Sequence, residues 1–120
     1  DRFAEAILLT LIEEGPKSLR NPKDYTSRAN YMWCATVALG GMVGPGVPHD
    51  WSTHAIGHEL TALYGLDHAQ TLAIVFPAMM WVMKDEKRAK INQYAERVWK
   101  ISDSEDHFQG AFRKTVAFFE

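Results

Sequence analysis

Three of the five histidines, His54, His58 and His68, fall within fifteen residues. His54 and His58 are spaced i, i+4, which puts both imidazoles on one face of a helix. That spacing suits two nitrogen donors on one divalent metal. His68 follows a turn signal at Gly65 and opens the next helical pattern. A short helix-turn-helix can swing that first turn back towards the preceding helix, so three imidazoles can converge. Gly57, between the first two histidines, costs a helix about 1 kcal/mol relative to alanine. A glycine in mid-helix points to close approach by another backbone or by a ligand. The residues alone also allow a plainer reading, in which the pair are surface or interface histidines. His49 and His107 stand apart from the cluster and read as solvated.

Other chemistries fail on their patterns. His58-Glu59 begins the H-E-x-x-H motif of zinc proteases, but the fifth position is Ala62. No paired cysteines form a zinc site. Ser52 and Thr53 precede His54 without a G-x-S-x-G nucleophile turn. The glycines at 40 to 46 lack the Lys and Ser/Thr of a phosphate-binding loop and follow no strand pattern. Cys34 sits on an apolar helical face and reads as core. Lys84, Lys87, Arg88 and Lys90 are interrupted by Asp85 and Glu86, as in a solvated helix face.

The elements that must position the histidines are helices, and the predicted fold class is all-α, a bundle-like arrangement of about six. Phe3, Ala6, Ile7, Leu11 and Ile12 follow helical spacing, with Leu8 and Leu9 on the other side. This predicts a largely buried first helix, ended by Gly15-Pro16. Asp24 is the expected N-cap of a second helix, stopped at Gly40-Gly41. The nine residues from Gly40 to Pro48 hold four glycines and two prolines, read as a packed loop within one domain. A third helix is expected from about Asp50 to Tyr64, with Asp50 as N-cap and Gly65 past its end. Asp67 and Gln70 form a capping-box pattern for a fourth, mostly apolar helix that Pro77 should kink or divide. A fifth helix, Asp85 to Lys100, turns Ile91, Tyr94, Ala95 and Val98 inward. Ser102-Asp103-Ser104-Glu105 reads as the capping box of a sixth, with Phe108, Phe112, Thr115 and Phe119 on one face. The aromatics Trp33, Trp81, Trp99, Phe112 and Phe119 fall at core-like spacing.

Composition narrows the function class. A 120-residue chain with 47 % hydrophobic residues can build a core. Thirteen basic against fifteen acidic residues, a net charge of −2, leave no electrostatic footprint for nucleic acid or an anionic membrane. The longest apolar run, Leu72 to Met83, is twelve residues, too few to span a bilayer. The one cysteine excludes an internal disulfide. With no signal-peptide pattern at the N-terminus, a cytoplasmic chain is expected.

The run HAIGHELTALYGLDHAQTLAIVFP, His54 to Pro77, resembles the metal-binding signature of the iron-containing (group III) alcohol dehydrogenases. That signature is H-x-x-x-H, a nine-residue spacer, a third His, then small and apolar residues and a Pro. The flanking stretches DRFAEAILLTLIEEGPKSL and VPHDWSTHAIGHEL resemble the subgroup of NADPH-dependent aldehyde reductases and butanol dehydrogenases. The likeness covers essentially the whole chain.

The resemblance implies part of the all-α C-terminal domain of a two-domain dehydrogenase, whose N-terminal α/β domain binds the nicotinamide cofactor. It implies a metal with four protein ligands. Two of these, an Asp and a His in a D-x-x-x-H helix, precede Asp1 in the family pattern; the other two map to His54 and His68. It places His58 beside the nicotinamide, as a catalytic and cofactor-binding residue. Here it differs from spacing, which pairs His54 with His58. The implied activity is metal-assisted hydride transfer between NADPH (or NADH) and a small aldehyde or alcohol, with Fe2+ or Zn2+ as the metal, in a homodimer when full length. Both ends of the chain stand in mid-pattern, so the expectation is a fragment, inactive and weakly metal-binding by itself. A competing reading is a non-catalytic helical interaction module with a structural or adventitious His metal site. A D-x-x-x-H helix upstream of Asp1 separates the two.

Overall fold

The computed structural model describes residues 1–102 and 104–120. Its described residues form six helices and no strands, as the periodicity predicts. They are α1 (Arg2–Arg20), α2 (Tyr25–Leu39), α3 (Ser52–Tyr64), α4 (His68–Val82), α5 (Arg88–Arg97) and α6 (His107–Phe119). The chain divides into two compact units, Asp1–His49 and Asp50–Glu120. The division falls just past the Gly/Pro-rich loop. That loop makes two tight turns, Gly44 N–H to Gly41 O at 3.2 Å and Val47 N–H to Gly44 O at 3.1 Å. Gly46, after Pro45, takes the positive φ that the third position of such a turn requires, and Gly41 takes positive φ just past the C-cap of α2.

In the first unit α1 packs on α2. Gly15-Pro16 does not end α1, which continues to Arg20. Proline's fixed φ is itself helical, so its cost here is one backbone hydrogen bond and local crowding. Lys17 spans the weakened turn by donating to Glu13 at 2.9 Å and Glu14 at 2.8 Å. The contact surface is made of small and polar groups: Gly15, Ser27 and Cys34 are buried, and so is Glu14. The expectation of a largely buried α1 is not met. Phe3, Leu8 and Leu9 are exposed, because within its unit one neighbouring helix covers only one face. Cys34 lies in the core as expected, whereas Trp33, next to it, points outward and is 68 % exposed. Asp24 caps α2 as predicted, accepting from Ser27 N–H at 3.0 Å.

In the second unit α3 packs on α4, α4 on α6, and α5 on α6. The apolar centre is Met80, Ala95, Ile101 and Ala111, with Tyr94, Trp99 and Phe112 against it. Small residues let α5 and α6 close up: Ala95 and Ala111 are fully buried. Ile101 fills the space that a side chain at Gly110 would take, since a Cβ there would sit 2.9 Å from Ile101 Cδ1. Trp81 and Phe119, expected in the core, remain about half exposed, although Trp81 packs edgewise on Phe112. Pro77 is accommodated within an unbroken α4.

In α5 and α6 three boundaries shift. α5 starts at Arg88 rather than Asp85, because the Asp85 carboxylate is taken by the Arg88 guanidinium instead of capping backbone N–H groups. It stops at Arg97, where the chain turns through Lys100 at φ +56°. α6 starts at His107, capped by Asp106, which accepts from Gln109 N–H at 3.0 Å. Glu105 does return to Ser102, at 3.3 Å from its N–H and 2.9 Å from its hydroxyl, but this closes a turn ahead of the helix. Asp103 of that pattern lies outside the described residues.

Candidate metal centre

The histidine cluster is built by the α3–α4 hairpin. Gly65 ends α3 in the left-handed conformation, φ +67°, and its N–H donates to Thr61 O at 2.9 Å. Asp67 and Gln70 then form the predicted capping box, with Gln70 Oε1 accepting from Asp67 N–H at 3.2 Å. A tight αL stop followed two residues later by a capped start reverses the chain. His68, first residue of α4, is thereby folded back over α3. Asp50 is not the cap of α3. That place falls to Trp51, while the Asp50 carboxylate accepts from Ser52 N–H at 2.9 Å and from Lys87.

All three imidazoles come together. The His54 and His68 ring centroids are 5.3 Å apart with planes tilted by 54°. Those of His58 and His68 are 5.1 Å apart and nearly parallel, at 14°. His58 and His68 are exposed and His54 half-buried. Trp51 stands edge-on to His54, its ring centroid 5.1 Å away. Underneath, Gly57 is buried against α4, where an added Cβ would meet Thr71 Oγ1 at 3.0 Å and Leu72 Cδ2 at 3.4 Å. The close approach that a mid-helix glycine implies is therefore real, and it is made by the neighbouring helix.

Ring orientation separates the two pairs chemically. An imidazole binds metal through a lone pair lying in the ring plane. Stacked, nearly parallel rings direct those lone pairs along separate planes, so His58 and His68 are poorly disposed to share an ion. Tilted rings can aim at one point. With metal–nitrogen bonds of about 2.0–2.1 Å, two imidazoles on one tetrahedral ion have ring centroids about 5 Å apart. The His54–His68 pair fits that test. Among the described residues no set of three His, Cys, Asp or Glu side chains is placed to hold a metal ion.

Two neighbours of the cluster escape a reading based on histidine spacing. Trp51 gives no sequence signal beyond lying three residues before His54. Thr71 has one: a threonine three residues after His68 can return its hydroxyl to the His68 carbonyl. His107, read as solvated, is instead half-buried with Nδ1 3.4 Å from Glu96 Oε1. His49 is exposed, as expected, on the loop at Gly44. No helix is long and apolar enough to cross a membrane among the described residues.

Comparison with known proteins identifies the family. The C-terminal profile of the Fe-containing alcohol dehydrogenase family matches residues 1–119. The chain belongs to the Fe-containing alcohol dehydrogenase family. It is 61 % identical over its whole length to the NADPH-dependent aldehyde reductase YqhD of Escherichia coli, and covers 32 % of that protein. It is 37 % identical, over 99 % of its length, to NADH-dependent butanol dehydrogenase B of Clostridium acetobutylicum, again covering 32 %. Among solved structures, the substrate- and cofactor-free form of the Escherichia coli aldehyde reductase superposes with a TM-score of 0.95 at 60 % identity, over 99 % of this chain and 32 % of that one. NADH-dependent butanol dehydrogenase A of Thermotoga maritima superposes at 0.91 with 29 % identity, over 96 % of this chain and 29 % of that one. The chain therefore spans about a third of the length of these family members.

Proposed function

We propose that this chain is part of the helical metal-binding domain of an NAD(P)H-dependent dehydrogenase that interconverts small aldehydes and primary alcohols. His54 and His68 hold the metal. His58 faces the nicotinamide, which is bound mainly by a separate N-terminal domain of the intact protein. The observation that carries this reading is the tilted His54–His68 pair, which fits shared coordination where the stacked His58–His68 pair does not. Relatives named as an NADPH-dependent aldehyde reductase and an NADH-dependent butanol dehydrogenase support the substrate and cofactor class. NADPH is favoured by the higher identity to the former. The intact protein is read as a cytoplasmic homodimer.

The roles follow from the donors. A divalent metal held by His54 and His68 would supply Lewis acidity towards the oxygen of an aldehyde or alcohol substrate. His54 and His68 bind as neutral imidazoles, a donor set suited to Fe2+ and Zn2+ alike. The capped first turn of α4 and the half-buried seat of His54 support that pairing. His58, left outside the ligand pair, keeps its ring available to carry the proton that completes the alcohol. Imidazole suits that relay because it changes charge near neutral pH. Two donors leave a metal shell incomplete, so the 120-residue chain alone is inactive and binds metal weakly.

The test uses the intact protein. His54→Ala and His68→Ala should each abolish metal retention through purification, measured by elemental analysis. His58→Ala should keep the metal and lose turnover. Stoichiometric metal in His68→Ala would sink the ligand assignment. NADPH-dependent aldehyde reduction by the isolated chain would refute the division of labour between domains.

A further inference from the structure

We propose that Thr71 is a positioning residue for the His54–His68 pair, its buried hydroxyl holding the first turn of α4 against Gly57 of α3. The inference rests on the metal-binding reading above and adds to it a residue that touches neither metal nor substrate.

Thr71 has no exposed surface, whereas the histidines it underlies are exposed or half-buried. Its Oγ1 donates to the carbonyl of His68 at 2.8 Å. Threonine hydroxyls bond back to helix carbonyls elsewhere in this chain: Thr10 to Ala6, Thr36 to Met32 and Thr115 to Ala111. All three span four residues. The Thr71 bond spans three, and it ends on a proposed ligand. It draws in the turn from which the His68 side chain departs, so it acts on the direction of the imidazole. The same oxygen is the atom that a Cβ at Gly57 would meet at 3.0 Å. Gly57 lies between His54 and His58 in sequence, so this contact sets how near α4 comes to the α3 turn carrying both rings. One buried hydroxyl thus bonds the His68 backbone and occupies the space that a side chain at Gly57 would take. Residues supporting a metal ligand in this way typically change affinity by about 10–100-fold when altered.

The experiment measures Zn2+ affinity by chelator competition in the intact protein, with the unfolding midpoint of each metal-free variant recorded alongside. Thr71→Val keeps the shape and removes the hydroxyl; it should weaken Zn2+ binding about tenfold or more while leaving the metal-free midpoint close to wild type. Thr71→Ser restores the hydroxyl and should return affinity to near the wild-type value. A purely structural role would lower the midpoint without this affinity pattern. Wild-type affinity in Thr71→Val, or a Thr71→Ser variant as weak as Thr71→Val, overturns the proposal. Should Thr71→Val not fold, Gly57→Ala decides: its Cβ must displace Thr71, so weakened Zn2+ binding is expected and unchanged binding overturns the proposal. His68→Ala is the reference arm. If it binds Zn2+ like wild type, the ligand assignment fails and the positioning role with it. If it loses Zn2+ while Thr71→Val does not, the positioning role alone fails.

Discussion

The α5–α6 pair and the α3–α4 pair belong to one compact unit but are built on different terms. Between α5 and α6 the centre of the contact is apolar, with Ala95, Ala111 and Ile101 buried and Tyr94 and Trp99 packed around them; one side-chain hydrogen bond, Tyr94 to Thr115, borders it. Between α3 and α4 the buried residues at the histidine end are Gly57 and Thr71, and three imidazoles occupy the rim. The first pair is shaped to exclude water. The second is shaped to bring two helices close without filling the space above them. Apolar burial stabilises in rough proportion to area and is indifferent to direction. A metal site, as proposed for the histidines, would need direction, and the local devices at this end of the pair are an αL glycine, a capping box and a glycine facing a threonine.

That contrast can be broken by substitutions that ought to act on one pair and spare the other. The largest expected effect is in the apolar pair. Ile101→Ala removes a buried side chain that seals Gly110 and should cost about 2–5 kcal/mol of stability. Denaturant unfolding of the intact protein measures it, and metal content should not change. His68→Ala should do the reverse. Its metal affinity should fall more than about 100-fold, beyond the usual effect of a supporting residue. Its metal-free stability should stay within about 0.5 kcal/mol of wild type, as for an exposed side chain.

A smaller effect is expected at Tyr94, whose hydroxyl lies 3.0 Å from Thr115 Oγ1. Tyr94→Phe should cost about 0.5–1.5 kcal/mol, the net worth of one hydrogen bond. Burial is the main cause that pushes the Tyr94 phenol above its ordinary value of 10.0, outweighing the hydrogen bond to Thr115 that pulls it down. The unfolded chain therefore ionises first as pH rises. The contribution of Tyr94 is complete below pH 10.0 and is lost as pH climbs through the higher folded value. Stability measured from pH 9 upward should fall less steeply in Tyr94→Phe. The smallest effect is expected at the exposed Asp50–Lys87 ion pair. Lys87 and Ser52 hold the Asp50 carboxyl well below its ordinary value of 3.8, so its contribution is present above that value and fades as pH falls further. Asp50→Asn should shift the unfolding midpoint only slightly, and only above that range.

The same contrast explains which features were legible in the sequence. Local signals held where the bonding partner is local. Asp24 caps α2, Asp67 and Gln70 close their box, and Gly65 ends α3. These place His68 beside His54 and His58, so the convergence of the three rings is legible from punctuation and spacing. Local signals failed where a competing partner took the group. Asp85 is drawn off by Arg88, and Asp50 divides its carboxylate between Lys87 and the Ser52 N–H, one residue ahead of the N-cap Trp51. Gly15-Pro16 reads as a stop, yet Lys17 and the buried face of α1 carry the helix through. Apolar type alone did not decide burial either, since Trp33 and Phe3 are exposed while Thr71 and Ser27 are buried. Spacing by itself favours the His54–His58 pair and carries no sign of how the His68 ring is turned. His54 and His58 lie on one helix face, and only the tilt of His68 in the folded chain distinguishes its two neighbours.

The central claim is that α3 and α4 aim His54 and His68 at one point and leave His58 aside. The most direct test is an anomalous-difference map of the metal-loaded intact protein, recorded at the metal's absorption edge. The account predicts one peak within about 2.0–2.2 Å of an imidazole nitrogen of His54 and of His68, with no bond to His58. A peak bonded by His54 and His58, with His68 swung away, would contradict it.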